Sequence, residues 1–188
     1  RPKPGDVVMI HAAASGVGLL LVQWSKHFGA TVLGTVGNTA KARIAREHGC
    51  DHAILYRETD FVQEAKRVAP GGVNAVFDGV GKDTFEKSFD CMAPFGMIVN
   101  YGNASGHVPP LDIMKLSLKG SLSVCRPGVS HFLGDPARFR ELCAGLFDAV
   151  ARGILKTTAI RTYALADAVT AHRDAEAASH AGPVVLLP

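Results

Sequence analysis

The sequence predicts an α/β fold, a doubly wound parallel sheet of six strands with helices on both faces. Three observations predict it. Short apolar or β-branched runs alternate with helix-patterned segments along the chain. The first run, Val7–Ala12, is a short apolar run interrupted only by His11, as in a strand buried on both faces. It passes through a turn of small residues, 13-AASGVG-18, straight into a helix. Parallel strands need crossovers, and right-handed crossovers wind the helices onto both faces. The architecture is therefore of the Rossmann type.

Each element has its own warrant. A helix over Gly16–Phe28 closes at Gly29, the usual residue after a helix end. Thr31–Val36 is β-branched and strand-like, and Thr39–His48 is a helix stopped by Gly49. Ala53–Tyr56 is a short strand. Thr59 is placed to cap a helix over Asp60–Val68, which ends before Pro70-Gly71-Gly72. Val73–Asp78 is the fourth strand. Asp83-Thr84-Phe85-Glu86 has capping-box spacing, which predicts a helix to about Met92. Pro94-Phe95-Gly96 turns into a fifth strand, Met97–Tyr101. A loop at Ser105–Pro110, a short helix at Leu111–Leu118 and a sixth strand at Ser121–Cys125 follow. A long helix over Pro136–Arg152 ends at Gly153, Asp167 is placed to cap a helix over Ala168–Ala178, and Val184–Leu187 is a last strand.

The 188 residues suffice for one domain with a real core. With 47% hydrophobic and 20% charged residues, the composition is that of an ordinary globular protein. The net charge of +3, without a block of like charge, gives no sign of nucleic-acid binding and suits a small anionic ligand. No apolar run reaches the ~18 residues of a membrane span. Cys50, Cys91, Cys125 and Cys143 form no C-x-x-C pair and read as reduced thiols of a cytoplasmic protein. The opening Arg1-Pro-Lys-Pro-Gly-Asp is neither signal nor transit peptide, and resembles a turn from inside something longer.

A pyrophosphate-binding turn needs backbone N–H groups at a helix start and no side chain in the way. Read as G-x-G-x-x-G, the three glycine positions here are Ala13, Ser15 and Gly18. Gly18 lets helix and strand sit close, and Gly16 supplies the close approach. Ser15 is small and its hydroxyl is able to donate to phosphate. The alternative is a tightly packed turn that binds nothing. A dinucleotide fold that prefers NAD usually carries an acid at the end of the second strand, for the ribose 2′-OH. Here 34-GTVGNTAKAR-43 has none. Gly37 leaves room, Lys41 and Arg43 add positive charge, and Tyr56-Arg57 ends the third strand. That combination favours a 2′-phosphate, hence NADPH, although Lys41 taken alone reads equally as a solvated helix residue.

Other strand ends are less specific. In 99-VNYGNASG-106, Gly102 permits close approach of a flat ring, Asn103 and Ser105 offer polar groups, and Tyr101 is either a core aromatic or a ring contact. This end belongs to the nicotinamide side of such folds. In 78-DGVG-81, backbone contact to the adenosine ribose is a better reading than catalysis by Asp78. Tyr-x-x-x-Lys and G-x-S-x-G are both absent, and no acid–base pair stands out. His48 and His52 are separated by a helix-ending glycine, which argues against a metal site, and His11 reads as a hydrogen-bonded core histidine.

The segments 4-PGDVVMIHAAASGVG-18, 34-GTVGNTAKAR-43, 56-YRETD-60, 78-DGVGKDTFEKSFDCM-92, 97-MIVNYGNASG-106, 119-KGSLSVCRP-127 and 182-GPVVLLP-188 cover nearly the whole chain. Together they resemble the cofactor-binding half of a medium-chain dehydrogenase/reductase, of the zinc-independent quinone oxidoreductase (zeta-crystallin-like) type. Ser15 departs from the glycine common there. The resemblance implies NADPH-dependent reduction of quinones or activated alkenes. It implies phosphate contacts from Ala14, Ser15, Gly16 and Val17, and 2′-phosphate contacts from Lys41 and Tyr56 beside Gly37. It also implies contacts toward the nicotinamide from Tyr101, Gly102, Asn103, Cys125 and Arg126; Val80 joins the cofactor set from the 78–81 turn. No residue of this chain is expected to be catalytic or to bind metal.

The resemblance further implies a homodimer through the sixth strand near Leu122–Val124 and a separate catalytic domain of roughly 120 residues preceding this one. Residues 1–188 are then a single dinucleotide-binding domain, inactive by itself. Two other functions remain open at this stage: the cofactor domain of an enoyl-thioester or polyketide enoyl reductase, and a non-enzymatic NADPH-binding, crystallin-like protein.

Overall fold

The computed structural model describes residues 2–157, 160–177 and 182–188. Six strands form one parallel sheet: β1 (Val7–Ile10), β2 (Thr31–Val36), β3 (His52–Leu55), β4 (Val73–Asp78), β5 (Met92–Asn100) and β6 (Ser123–Cys125). Their spatial order is β3-β2-β1-β4-β5-β6. Chain direction across the sheet reverses between β1 and β4, which opens a crevice beyond their carboxyl ends.

The alternation along β1 shows why the sheet is doubly covered. Met9 packs with Leu33, Phe61, Val76, Phe85, Phe89 and Ile98 on one face. Val8 and Ile10 pack with Val22, Val32, Ala42 and Ala45 on the other. Val8, Met9 and Ile10 are fully buried, each stabilising the fold by about 2 kcal/mol. The helices that cover the sheet are α1 (Gly16–His27), α2 (Thr39–Glu47), α3 (Phe61–Val68), α4 (Phe85–Ser88) and α5 (Met114–Leu118). Beyond the sheet come α6 (Val129–Leu133), α7 (Pro136–Ala151), β7 (Arg161–Ala164), α8 (Ala168–Glu176) and β8 (Val184–Leu187). β7 and β8 form a second, two-stranded parallel sheet.

Several expected boundaries move, for local reasons. Asp60, not Thr59, caps α3: its Oδ1 accepts from Val62 N at 2.8 Å and Gln63 N at 3.1 Å. Thr59 instead donates its hydroxyl to Leu55 O. The capping box at Asp83–Glu86 does not form, because Thr84 occupies the N-cap and its hydroxyl is drawn to Asp78. Glu86 pairs with Lys115. Pro94-Phe95-Gly96 lies inside β5 rather than before it, opposite a register shift at Val73/Ala75. Phe95 there has φ 63° and donates its N–H to Gly120 O. Asp167 precedes α8 without a side-chain cap, and the expected helix end at Ala178 lies outside the described residues. α6 and β7 carry no expectation from sequence. β7 is four residues long with mostly exposed positions, so hydrophobic periodicity has little to detect.

Candidate functional site

The turn after β1 is built by close packing. Ala12 takes a left-handed backbone, φ 54°. Its neighbours Ala13 and Ala14 are buried. A Cβ on Gly18 would stand 2.3 Å from Ala12 O, so α1 rests directly on the turn and only glycine fits. Ala13 replaces the first glycine without penalty because Gly34 lies opposite, where a Cβ would meet Ala13 Cβ at 2.6 Å. Ser15 is the N-cap of α1, and its Oγ accepts from Gly18 N at 3.0 Å. The hydroxyl hydrogen remains for a ligand. Gly16 and Val17 begin the helix, so their N–H groups have no intrahelical acceptor. Val17 is exposed. From the far end of the chain, Gly182 N donates to Ala14 O at 3.1 Å and buttresses the turn.

At the ends of β2 and β3 the expected residues converge. A Cβ on Gly37 would lie 3.6 Å from the Tyr56 hydroxyl and 3.7 Å from Arg57 Nε. Arg57 sits 5.9 Å over the Tyr56 ring, a cation–π contact. Lys41 is in the first turn of α2, whose N-cap Asn38 accepts its N–H at 2.9 Å. Arg43 is drawn away into an ion pair with Glu47. Tyr56 is 49% exposed, so this corner presents side chains to solvent.

The ends of β4, β5 and β6 form one wall instead of separate surfaces. A Cβ on Gly102 would lie 2.5 Å from Gly79 O, so the loops after β4 and β5 touch backbone to backbone. Ser105 seals them, donating to Val80 O at 2.9 Å and accepting from Asp83 N at 3.1 Å. The Tyr101 ring lies across Gly79, within 2.9 Å of where a Cβ would stand. Tyr101 is thus half-buried against the wall, and burial, aided by Asp78, pushes its phenol up to about 12.

Asp78 is fully buried. One oxygen accepts from Val80 N, Gly81 N and the Thr84 hydroxyl at 2.8, 3.0 and 2.9 Å, and the other from Asn100 Nδ2 at 3.4 Å. A carboxylate so engaged is a loop anchor. Asn100 receives Arg126 Nη1 at 2.6 Å, and Arg126 also reaches Asn100 O and Gly102 O. Asn103 sets its amide between Arg126 Nη2 at 3.1 Å and His107 Nδ1 at 3.3 Å. The structure therefore brings Val80, Tyr101, Gly102, Asn103 and Arg126 together. Cys125 ends the edge strand with its side chain exposed.

Sequence reasoning missed Asn100, Thr84 and Gly79, which build this wall, and Thr35, which holds the turn. No local pattern marks them, since their partners lie on other strands. A cavity of about 640 Å³ opens elsewhere, lined by Gln23, Lys26, His27, Glu47, His48 and Lys156. It lies at the far end of α1 from the turn, and Gln23 is already spent on both backbone groups of Lys156. The crevice at the strand ends is the better site because backbone donors and the switch of strand order meet there. Among the described residues no group of three His, Cys, Asp or Glu side chains is placed to hold a metal ion. None of their helices is long and apolar enough to cross a membrane.

With this geometry in view, residues 16–148 match the profile of a family described as zinc-binding dehydrogenase. A 2-haloacrylate reductase of a Burkholderia species is 43% identical over 190 residues, spanning 100% of this chain and 57% of that protein. Quinone oxidoreductase 1 of Escherichia coli is 39% identical, over 99% of this chain and 58% of its own. The crystal structure of the Escherichia coli quinone oxidoreductase complexed with NADPH superposes with a TM-score of 0.93 at 38% identity, covering 100% of this chain and 59% of that one. The chain thus spans somewhat over half the length of the relatives it matches.

Proposed function

This chain belongs to the zinc-binding dehydrogenase family, in its zinc-independent quinone oxidoreductase branch, and on that premise we propose that it is the NADPH-binding domain of a quinone reductase. One observation carries the reading. A glycine-lined helix start, with the Gly16 and Val17 N–H groups presented, sits at the β1/β4 switch point, while the neighbouring strand end carries Lys41, Tyr56 and Arg57 and no acid.

The residues fit the cofactor. Ala14, Gly16 and Val17 hold the pyrophosphate through backbone N–H groups and Ser15 through its hydroxyl, its own N–H being given to Ala12 O at 2.9 Å. Lys41 and Tyr56 hold the 2′-phosphate beside Gly37, the 78–81 turn with Val80 contacts the adenosine ribose, and the wall of Tyr101, Gly102, Asn103 and Arg126 orients the nicotinamide, with Cys125 at its rim. NADPH supplies a hydride, and a quinone takes up that hydride with one proton. This chain's part is to bind, orient and exclude water. The substrate pocket belongs to a catalytic domain of the complete enzyme, so residues 1–188 alone bind cofactor without turnover. Activated alkenes form a second substrate class, favoured by the 43% identity to the Burkholderia 2-haloacrylate reductase.

We further propose a homodimer through β6, one of the two edge strands of the six-stranded sheet. Phe95 and Leu118 beside that edge are 83% and 82% exposed, apolar surface that a partner would cover. Four free cysteines suit a cytoplasmic location. The cofactor test is a fluorescence titration with NADPH and NADH. The expected outcome is tighter NADPH binding, weakened about tenfold in Lys41→Ala with NADH unchanged. Equal affinities, or an unaltered preference in Lys41→Ala, overturn the 2′-phosphate assignment.

A further inference from the structure

Beneath the turn runs a buried chain of polar side chains that cofactor contacts do not explain. His11, directly after β1, is fully buried, and its ring stands edge-on to Phe61 with centroids 4.9 Å apart. Nδ1 lies 3.0 Å from Thr35 Oγ1, and Nε2 lies 3.0 Å from Ser88 Oγ. Ser88 donates its hydroxyl to Thr84 O at 2.8 Å. Thr35 Oγ1 accepts the N–H of Ala12 at 3.3 Å, and Thr35 O accepts the N–H of Ala13 at 3.1 Å.

With every one of these contacts made, one direction follows for each proton. Ser88 has one hydroxyl hydrogen, already given to Thr84 O, so toward His11 it accepts and Nε2 carries the ring N–H. A neutral imidazole then has a bare Nδ1, to which the Thr35 hydroxyl donates. That leaves the Thr35 oxygen turned to Ala12 N–H. Burial keeps the ring neutral, lowering its pKa to about 4 against the opposing pull of Asp78.

We propose that His11, as the Nε2–H tautomer, is a positioning residue for cofactor binding: through Thr35 it clamps Ala12 in its left-handed conformation, and through Ser88 it ties the turn to α4. The reason for a clamp is the backbone itself. A non-glycine residue at φ 54° is held there against its own preference. Relaxation at Ala12 would swing the Gly16 and Val17 N–H groups that begin α1. The far end of the relay is anchored too, since Thr84 donates its hydroxyl to Asp78 at 2.9 Å. The relay therefore spans the crevice from the β1–β2 side to the β4 side. It rests on the NADPH reading above.

The test pairs binding with spectroscopy on the 188-residue chain. Thr35→Val keeps the shape and removes the hydroxyl. NADPH affinity is expected to fall about tenfold, and Thr35→Ser to restore it to within about twofold. Ser88→Ala, which touches the turn only through His11, is expected to weaken binding in the same direction by about threefold. A nitrogen-detected NMR spectrum of the wild-type ring is expected to place the proton on Nε2. Wild-type affinity in Thr35→Val, failure of Thr35→Ser to rescue, or a proton on Nδ1 overturns the inference. A wild-type chain that binds no NADPH overturns the function reading and the cofactor role of the relay together, and the tautomer measurement separates that case from an error in the hydrogen-bond chain.

Discussion

The two ends of the crevice are built by different means. The β2–β3 end presents the Tyr56 and Arg57 side chains to solvent beside Gly37, with Lys41 half-buried in the first turn of α2. The β4–β5–β6 end is built the other way. Asp78 and Asn100 are buried and bonded on several sides, and the loops they hold meet backbone to backbone at Gly79 and Gly102. The exposed end tolerates substitution of its side chains, Tyr56 being 49% exposed. At the buried end a substitution would have to change the fold itself.

Breaking the buried end is expected to have the largest effect. Asp78→Ala leaves the Val80 and Gly81 N–H groups and the Thr84 hydroxyl without their acceptor, and should destabilise the chain by about 3 kcal/mol in a urea unfolding curve. A loss below about 1 kcal/mol would mean that the wall stands without its anchor.

Acid probes the same buried region next. The folded pKa of His11 lies near 4, below the ordinary 6.5, so as pH falls the unfolded chain takes up the proton first. Stability from this group is complete above about pH 6.5 and erodes down to about pH 4, by about 3 kcal/mol at most. The difference in unfolding free energy between wild type and His11→Gln should therefore vary across that window and flatten above it. A difference independent of pH would show that the ring is not held neutral.

The exposed end should answer to ligand and not to stability. Tyr56→Phe is expected to leave the unfolding midpoint unchanged while weakening NADPH about threefold. A clear loss of stability in that variant would erase the contrast between the two ends.

Legibility in the sequence follows the same division. The turn at Ala13–Gly18 and the missing acid after β2 are readable because each lies within one strand–turn–helix unit. Asp60 displacing Thr59 at the α3 cap is a competition between two adjacent side chains, which sequence narrows without deciding. His11 and Ser88 are 77 positions apart and Asn100 and Arg126 are 26 apart. Such contacts depend on which strands become neighbours. Pro94–Gly96 reads as a turn by composition, yet lies in β5, where Phe95 N finds an acceptor in Gly120 O of the turn that follows α5.

The sequence by itself determined the alternation of elements, the glycine-lined helix start and the absence of an acid after β2. These rest on local sterics, periodicity and residue chemistry. The tertiary structure decided that β4 lies beside β1, and so that Asp78, Asn100 and Arg126 form one wall and His11 joins the turn to α4. Strand neighbours are chosen by burying distant apolar runs such as Met9, Val76 and Ile98 against one another, and no local stretch of chain encodes that choice.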